Sequence, residues 1–396
     1  MPVKTVIDGT LLSDCEKSGD IRYGVLRVAE EITQRLRDDD TLDLVFANTK
    51  LDSYHDRLLR TYLRRKSNDK AVKILSYPFA GCSLQRANRL FSTIYRRFYS
   101  EEIRTIDRYD VFHSFYQPFS KGVNKAKIVK SITLHDIIPL RVKGYEIEIP
   151  FLNGIIDSIV PNFTISVSEF SKQDVCNYDK RVDSDRIFVV PLAANSEVFY
   201  INRNRQAWEE IKSKYGLPNR YFLSLSGIDK RKNLLHLIKA FDELIMQQNV
   251  DVCLVLTGNA SINSSVFTQV NINNKTKEKI VFVKPIEEED LSVVYTNALC
   301  FFFMSFYEGF GLPVLEAMQC GVPVVTSNVT SLPEVVGDAG IMLSPHDKDA
   351  LCSAMLTVYN NKQVRDDLSR RGLKRVQEFS WKRCAEEYSA IFKKIR

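Results

Sequence analysis

Strand-like and helix-like segments alternate along the chain in two successive series, and this alternation restricts the possible folds more than any other sequence feature. The first series ends near Pro191, and a second begins with the strand-like segment 221–225. Alternation of this kind is typical of parallel sheets that are covered by helices on both faces. The sequence therefore predicts an α/β protein with two doubly wound, Rossmann-like domains facing a central cleft. We place them at residues 1–195 and 196–375, followed by a helical segment at 376–396.

Individual segments carry the periodicities expected of such a fold. Residues 24–37 repeat apolar side chains along one helical face, and residues 234–246 predict a second helix. Residues 300–304 are apolar throughout, which is typical of a strand buried on both faces. The polar stretch 261–279 predicts irregular structure between two strands.

The composition is that of folded domains. With 396 residues, 44% hydrophobic and 26% charged, the sequence excludes a disordered or fibrous chain. The densest apolar run, Cys300–Met304, is far shorter than the ~18 residues that a membrane-spanning helix needs. The chain shows no secretory signal, and its 8 cysteines are scattered without metal-like spacing. We therefore expect a cytoplasmic protein with reduced thiols.

Positive charge is concentrated in one region. Residues 57–104 contain twelve Lys or Arg against three Asp or Glu, although the whole chain has a net charge of +6. Apolar residues recur near helical spacing within 84–98, which indicates a basic amphipathic helix. No nucleic-acid motif accompanies it, so we expect no nucleic acid partner. Residues 57–104 predict either peripheral contact with an anionic membrane, at its inner face, or an exposed charged helix packed on its domain.

The segment after the strand at 300–304 carries a potential anion site. A glycine-rich loop at 309–312 is followed by Pro313, a residue favoured in the first turn of a helix. Gly321 lies where a helix-ending glycine is expected. The loop therefore lies at a helix N-terminus, where unpaired backbone N–H groups and the helix dipole favour a phosphate.

Two carboxylates, Glu308 and Glu316, flank this loop. Carboxylates repel a phosphate unless they accept hydrogen bonds from hydroxyl groups attached near it. Sugar and ribose hydroxyls meet that requirement, so the pair predicts a site for a phosphate-linked sugar. The alternative is that Glu316 only complements the helix dipole and that Glu308 is solvated.

The two glutamates, with GFGLPVLEAM and CGVPVV around them, resemble the signature of the retaining GT-B glycosyltransferases of carbohydrate family four, the glycosyl transferases group 1. The resemblance extends over most of the chain. It implies that Glu316 binds the nucleotide ribose and that Glu308 contacts hydroxyls of the donor sugar. It also implies that the backbone amides of Phe310, Gly311 and Leu312 meet the sugar and the distal phosphate.

A second match is the segment 226–233, SGIDKRKN, between a predicted strand and a predicted helix. It resembles the family's phosphate-binding turn GxxxPRKN, with Lys230 where proline is usual. The resemblance implies that Arg231 and Lys232 bind the diphosphate. Cations at this position stabilise the charge that develops on a leaving diphosphate. An exposed basic turn is the alternative interpretation.

A third match concerns His135, at the carboxyl end of the strand predicted at 128–134. The segment 132–136, ITLHD, resembles the family's strand-end His-Asp pair, which implies that His135 lies near the donor sugar. A lone histidine is more often structural. We interpret His113, which resembles another family position, as mainly structural.

Three further segments resemble the family. Gly19, within 18–24, matches the glycine loop of the N-terminal domain, next to the acceptor. Pro285 and Ile286 match the loop that reads the nucleobase. Trp381 and the final helix resemble the tail that crosses back to the N-terminal domain.

The resemblance implies a retaining, metal-independent hexosyltransferase of polysaccharide biosynthesis. It would move a hexose from a nucleoside-diphosphate sugar to a glycan or lipid-linked glycan acceptor, and would need no cofactor besides the donor. The predicted catalytic residues are His135, Glu308, Arg231 and Lys232. We favour a UDP-sugar such as UDP-glucose as donor, with GDP-mannose and a mannosyltransferase as the alternative. A sugar-nucleotide epimerase and a non-catalytic nucleotide-sugar binder are alternatives of other classes.

Overall fold

Each half of the chain folds around its own parallel sheet. The structure, a computed structural model, divides into two compact units, residues 1–192 with 381–396 and residues 193–380. It describes residues 1–13, 24–48, 53–65, 73–75, 104–225, 229–257 and 269–396.

The first unit contains a seven-stranded sheet in the order β3-β2-β1-β4-β5-β6-β7, with every neighbouring pair parallel. Its strands are β1 (Val3–Asp8), β2 (Leu42–Ala47), β3 (Ile74–Leu75), β4 (Val111–Ser114), β5 (Val129–Leu134), β6 (Phe163–Ser166) and β7 (Ile187–Val189). Its helices up to β7 are α1 (Gly24–Leu36), α2 (Ser53–Arg65), α3 (Lys121–Lys125), α4 (Ile138–Arg141), α5 (Ile149–Ile159) and α6 (Glu169–Tyr178). Helix α1 begins at the predicted residue and buries the apolar face that predicted it.

The second unit contains a six-stranded parallel sheet in the order β10-β9-β8-β11-β12-β13. Its strands are β8 (Tyr221–Ser224), β9 (Cys253–Thr257), β10 (Ile280–Val283), β11 (Cys300–Phe303), β12 (Val324–Ser327) and β13 (Ile341–Leu343). Its helices are α7 (Arg205–Tyr215), α8 (Leu234–Gln247), α9 (Asn274–Lys277), α10 (Glu288–Thr296), α11 (Leu312–Gln319), α12 (Leu332–Val336), α13 (Lys348–Asn360) and α14 (Lys362–Arg375).

Both sheets are doubly wound, as the alternation of segments predicted. The chain builds one half of each sheet, then returns to the middle and builds the other half in the opposite direction. The reversal falls between β1 and β4 in the first unit, and between β8 and β11 in the second. In sheets of this kind, ligands bind beyond the carboxyl ends of the strands at the reversal.

The core of the second unit lies between its sheet and the helices α8 and α13. Phe222 and Phe302, on the two central strands, are fully buried, with ring centroids 5.0 Å apart. The prediction of irregular structure at 261–279 was wrong for its last part, because α9 forms there. The Asn273 side chain accepts a hydrogen bond from the backbone N–H of Lys275 and so begins this short helix.

The final helix, α15 (Trp381–Ile395), belongs to the first unit and packs against α1. Tyr388 and Phe392 place their rings against His113, at centroid distances of 5.5 and 5.2 Å. The two ring nitrogens of His113 lie 2.8 Å from Ser131 Oγ and 3.1 Å from Thr133 Oγ1. His113 is thus a buried structural residue of the first unit, as the sequence indicated.

None of the helices in the described ranges combines the length and apolarity that a membrane crossing requires. The basic segment 57–104 is described only in part, and the amphipathic helix predicted within 84–98 lies outside the described residues.

The first unit should lose stability as the pH falls below neutral, because burial lowers the pKa of His113 to about 3. The unfolded chain protonates this ring near pH ~6.5, whereas the folded unit keeps it neutral. The free energy of unfolding therefore falls between these two pH values, by up to ~1.4 kcal/mol per pH unit for one such group. His113→Gln should make this dependence shallower. Urea unfolding followed by Trp381 fluorescence in a Trp208→Phe background, from pH 7.5 to 5, measures both slopes, and equal slopes would contradict the expectation.

Candidate functional site

The loops that follow β8 and β11 meet at the point where the second sheet reverses direction. After β8 the chain forms a short 3₁₀ turn, Lys230–Lys232, in which the Asp229 side chain accepts a hydrogen bond from the backbone N–H of Arg231. After β11, the backbone N–H of Phe306 donates to the carbonyl oxygen of Arg231 at 2.8 Å. Residues from two distant parts of the sequence are therefore fixed side by side.

Glu308 is shared by two cations. Its Oε1 lies 2.6 Å from Arg231 Nη1 and 2.6 Å from Lys232 Nζ. The three side chains are only 11–16% exposed. Arg231 also lies 3.3 Å from Asp229 and donates to the carbonyl oxygen of Tyr307 at 2.8 Å. In such shielded surroundings the ion pairs are far less screened than at an open surface.

This environment favours the ionised carboxylate of Glu308. Burial alone would raise the pKa of Glu308, but Lys232 and Arg231 outweigh burial and hold that pKa below its usual value. Lys232 Nζ also lies 4.4 Å from the centre of the Phe303 ring. The idea that Glu308 is solvated is therefore wrong, since the residue is buried and its Oε1 pairs with both cations.

The glycine-rich loop is held by the segment that precedes α12. Ser331 Oγ lies 2.9 Å from the carbonyl oxygen of Glu308 and 2.8 Å from that of Phe310. The backbone N–H of Glu308 donates to Thr330 Oγ1 at 3.2 Å. Sequence reasoning missed Thr330 and Ser331. A sequence signal for them exists, because the two residues stand directly before a leucine and a proline. Threonine and serine at such positions often bind backbone groups where a helix begins.

Gly311 is required by the backbone of this loop. Its φ of +112° is a conformation that L-residues with a side chain rarely adopt, and an added Cβ would lie 2.7 Å from Leu332 Cδ2. Gly311 is the residue before α11, and Pro313 lies in the first turn of that helix. Phe310 is buried, and its ring and that of Phe379 meet edge to face with their centroids 6.1 Å apart. Leu312, the first residue of α11, is half-buried.

Glu316 lies one turn into α11 and is buried, with 6% of its surface exposed. The hydroxyl of Tyr295, on α10, donates to Glu316 Oε2 at 3.5 Å. Glu316 is therefore a buried residue of α11, and its role stays a prediction. Its carboxylate is held from the side by a tyrosine.

Two predicted residues lie further along the same sheet edge. Pro285 and Ile286 follow β10, which is three strands away from β11. Pro285 is exposed and Ile286 is half-buried. The backbone N–H of Glu287, the next residue, donates to the hydroxyl of Tyr215 at 3.0 Å, which anchors this loop to α7.

His135 belongs to the first unit, where it directly follows β5. The ring is buried and meets the edge of the Tyr116 ring at 5.2 Å. Burial lowers the pKa of His135 to about 3, so the ring is neutral. Its Nε2 is buried without a hydrogen-bond partner in the described part of the chain. Gly19, and residues 226–228 of the basic turn, lie outside the described residues.

Metal-ligating side chains do not cluster in the described ranges, where no group of three or more His, Cys, Asp or Glu could hold an ion.

One comparison with known proteins covers most of the second unit. Residues 208–375 match the family model of glycosyl transferases group 1. This match lies within the second unit and agrees with the resemblance that the two glutamates and their loop indicated.

Two curated relatives from Escherichia coli match about three fifths of the chain. O-antigen chain mannosyltransferase B is 37% identical over 233 residues, which cover 58% of this chain and 60% of the relative. The serotype-specific mannosyltransferase WbdA is 30% identical over 258 residues, covering 63% of this chain and 32% of the relative. The chain therefore matches less than two thirds of the length of either relative.

Solved structures share the fold over the whole chain. A glycosyltransferase from Rickettsia africae has a TM-score of 0.71 at 15% identity, covering 100% of this chain and 98% of its own. Anabaena HepE, in complex with UDP, has a TM-score of 0.71 at 14% identity and covers 100% of both chains. At these identities the likeness concerns the fold alone, and it confirms the predicted GT-B class.

Gly311→Ala should destabilise the second unit and disturb the loop, because the side chain would combine a strained backbone with a clash against Leu332. We expect a loss of about 1–3 kcal/mol in the free energy of unfolding. Gly216→Ala is a matched control, since Gly216 also has a positive φ, +66°, but no atom within 4 Å of an added Cβ. Urea unfolding, monitored by Trp208 fluorescence in a Trp381→Phe background, measures the free energy of unfolding of both variants. Equal losses would show that the contact with Leu332 is unimportant.

Proposed function

We propose that this protein is a glycosyltransferase that moves a hexose from a nucleoside-diphosphate sugar to a glycan or lipid-linked glycan acceptor, in polysaccharide biosynthesis. One observation carries the proposal. Within a group 1 glycosyltransferase domain, Glu308 lies 2.6 Å from both Arg231 and Lys232, at the carboxyl edge of the sheet. An acid beside two cations is suited to a ligand in which hydroxyl groups adjoin a phosphate.

Each side chain then has a role in donor binding. Arg231 and Lys232 bind the diphosphate, and the amides of residues 310–312 meet the sugar and the distal phosphate. Glu316 accepts hydrogen bonds from the ribose. Glu308 turns from its two cations toward the hydroxyls of the donor sugar when the phosphates take over those cations.

The remaining predicted residues complete this proposal. Pro285 and Ile286 meet the nucleobase, Gly19 lies on the acceptor side, and the neutral His135 contacts the donor sugar. Because its pKa is about 3, His135 acts as a hydrogen-bonding group and not as a charged one near pH 7.

The proposed reaction is metal-independent and retains the anomeric configuration. The bond between the sugar C1 and the phosphate oxygen breaks, and a bond from C1 to the acceptor oxygen forms on the same face. The leaving phosphate takes the proton of the acceptor hydroxyl. Arg231 and Lys232 stabilise the negative charge that grows on the diphosphate, which is the task that a metal ion performs in other transferases.

Two donors have separate support. The sequence favoured a UDP-hexose, whereas both Escherichia coli relatives are named mannosyltransferases, which supports mannose and hence GDP-mannose. A thermal-shift screen of UDP-, GDP-, ADP- and TDP-sugars on the full chain distinguishes them. A shift with one base and not the others assigns the nucleotide, and no shift with any of the four would contradict the proposal.

Once the donor is known, transfer assays with that donor test the reaction itself. With oligosaccharide acceptors, NMR of the product gives the anomeric configuration, and EDTA tests the need for a metal. Conversion of the donor without an acceptor would instead indicate an epimerase, and binding without turnover a non-catalytic binder. Membrane contact through residues 57–104 stays a prediction.

Glu316→Gln should weaken binding of the matching nucleoside diphosphate by about tenfold, since a neutral amide is a poorer partner for two ribose hydroxyls than a carboxylate. The fold should persist, because the amide keeps the volume of the acid and can still accept from Tyr295. Isothermal titration calorimetry measures the affinity. Glu209→Gln, on the exposed side of α7, is the matched control and should bind normally. Normal affinity in Glu316→Gln would remove its assigned role.

Glu308→Gln should separate binding from transfer. The neutral side chain no longer competes for Arg231 and Lys232, so the nucleoside diphosphate should bind at least as tightly as in the wild type. Transfer should fall by about a hundredfold or more, because the sugar loses a charged hydrogen-bond partner at the reacting centre. Calorimetry and single-turnover kinetics measure the two effects. Wild-type turnover, or loss of nucleotide binding with the fold intact, would each contradict this role.

A further inference from the structure

Two apolar side chains lie exposed at the start of α5 and in the turn before it. Ile147 is 96% exposed, and Phe151, in the first turn of α5, is 39% exposed. The ring of Tyr116, in the loop after β4, lies behind Phe151 at a centroid distance of 6.0 Å. We call Tyr116 and Phe151 the aromatic platform.

The aromatic platform adjoins the strand-end residue that the proposed function uses. Tyr116 meets His135 ring to edge at 5.2 Å and donates its hydroxyl hydrogen to the carbonyl oxygen of Asp136 at 3.1 Å. Tyr116 has a φ of +67°, a conformation that costs energy for a bulky residue. Backbone strain of this kind collects at binding and catalytic sites.

Helix α5 holds the aromatic platform rigidly. An added Cβ at Gly154 would lie 3.1 Å from Pro118 Cβ, so the helix packs closely on the loop that contains Tyr116. The hydroxyl oxygen of Ser158 accepts from the backbone N–H of Phe119 at 3.0 Å, which ties the same helix to the same loop. Rings fixed in this way lose little conformational entropy when a ligand binds.

Carboxylates lie near the Tyr116 hydroxyl and next to Ile147 in the sequence. Burial raises the pKa of Tyr116 well above its ordinary value, and the Asp136 and Glu148 carboxylates add to the effect, so both acids lie near its hydroxyl. Glu148 is exposed beside Ile147. On the other side of Ile147, Glu146 accepts a hydrogen bond from the backbone N–H of Gly144 at 3.0 Å.

We infer that the aromatic platform binds a hexopyranose ring of the glycan acceptor. One face of a pyranose ring presents C–H groups that pack on an aromatic ring, while its rim carries hydroxyls that donate to carboxylates. The aromatic platform offers its Phe151 ring for the face, and Glu148 offers a carboxylate for the rim. Glutamates on both sides of Ile147 would repel an anionic membrane, so a lipid surface is the poorer match. The inference rests on the proposed function, since it supplies the acceptor site of that reaction.

Saturation-transfer NMR on the full chain tests the inference without any donor, with mannotriose and maltotriose as the probes. The wild type should transfer saturation to at least one of them, and Phe151→Ala should weaken that binding by about tenfold. Phe151→Trp should restore it, because the larger ring keeps the stacking surface. Glu148→Gln should weaken it less. Tyr178→Ala is the matched control, because it removes a ring of the same unit that is 42% exposed. This variant should bind the trisaccharide as the wild type does.

Transfer kinetics give a second measurement. Phe151→Ala should raise the KM for the oligosaccharide about tenfold while the KM for the donor stays within twofold. Equal binding by wild type and Phe151→Ala, or binding of neither trisaccharide by the wild type, would overturn the inference. Binding of anionic vesicles, or self-association, that depends on Phe151 would also overturn it. Failure of the proposed function would be recognised separately. No nucleotide would then give a thermal shift, whether or not the trisaccharides bind.

Discussion

The shared carboxylate of Glu308 is the interaction on which the site in the second unit depends. Two cations and an acid with little exposure are stable only as a set, since a lone buried charge costs several kcal/mol. Removal of one partner leaves another unpaired. In the proposed function, a phosphate would compete with Glu308 for Arg231 and Lys232. Binding of the diphosphate and positioning of the acid would thereby be coupled through Coulomb forces.

The sheet brings this set together. Arg231 and Lys232 follow β8, and Glu308 follows β11, more than seventy residues later. Only because the chain returns to the middle of the sheet do the two loops become neighbours. Small hydroxyl residues before α12 then fix the second loop, and Gly311 lets it turn into α11 without a clash.

The first unit uses the same topology for different contacts. Its central histidine, His113, is enclosed by strand hydroxyls and by the rings of α15, and it serves packing. His135, two residues after Thr133, directly follows β5 and lies beside Tyr116. Burial keeps both rings neutral. The two histidines thus differ in their contacts according to their position along the sheet.

The sequence by itself determined the α/β class, the two doubly wound sheets and the positions of most elements. Apolar periodicity, glycines and prolines are local signals, and they are strong where both faces of a strand or one face of a helix are buried. The same local patterns, with the family resemblance, indicated Glu308, Glu316, Arg231 and Lys232 as site residues. The polar stretch before β10 gave no such signal, so the short helix α9 was missed.

Only the tertiary structure decided which of these residues touch. That Glu308 binds two cations at once, that Tyr295 holds Glu316 and that Ser331 holds the loop are contacts between distant segments. The aromatic platform likewise joins the loop after β4 to α5. A sequence pattern reports the environment of a residue along its own element, whereas these contacts depend on how separate elements are placed in three dimensions.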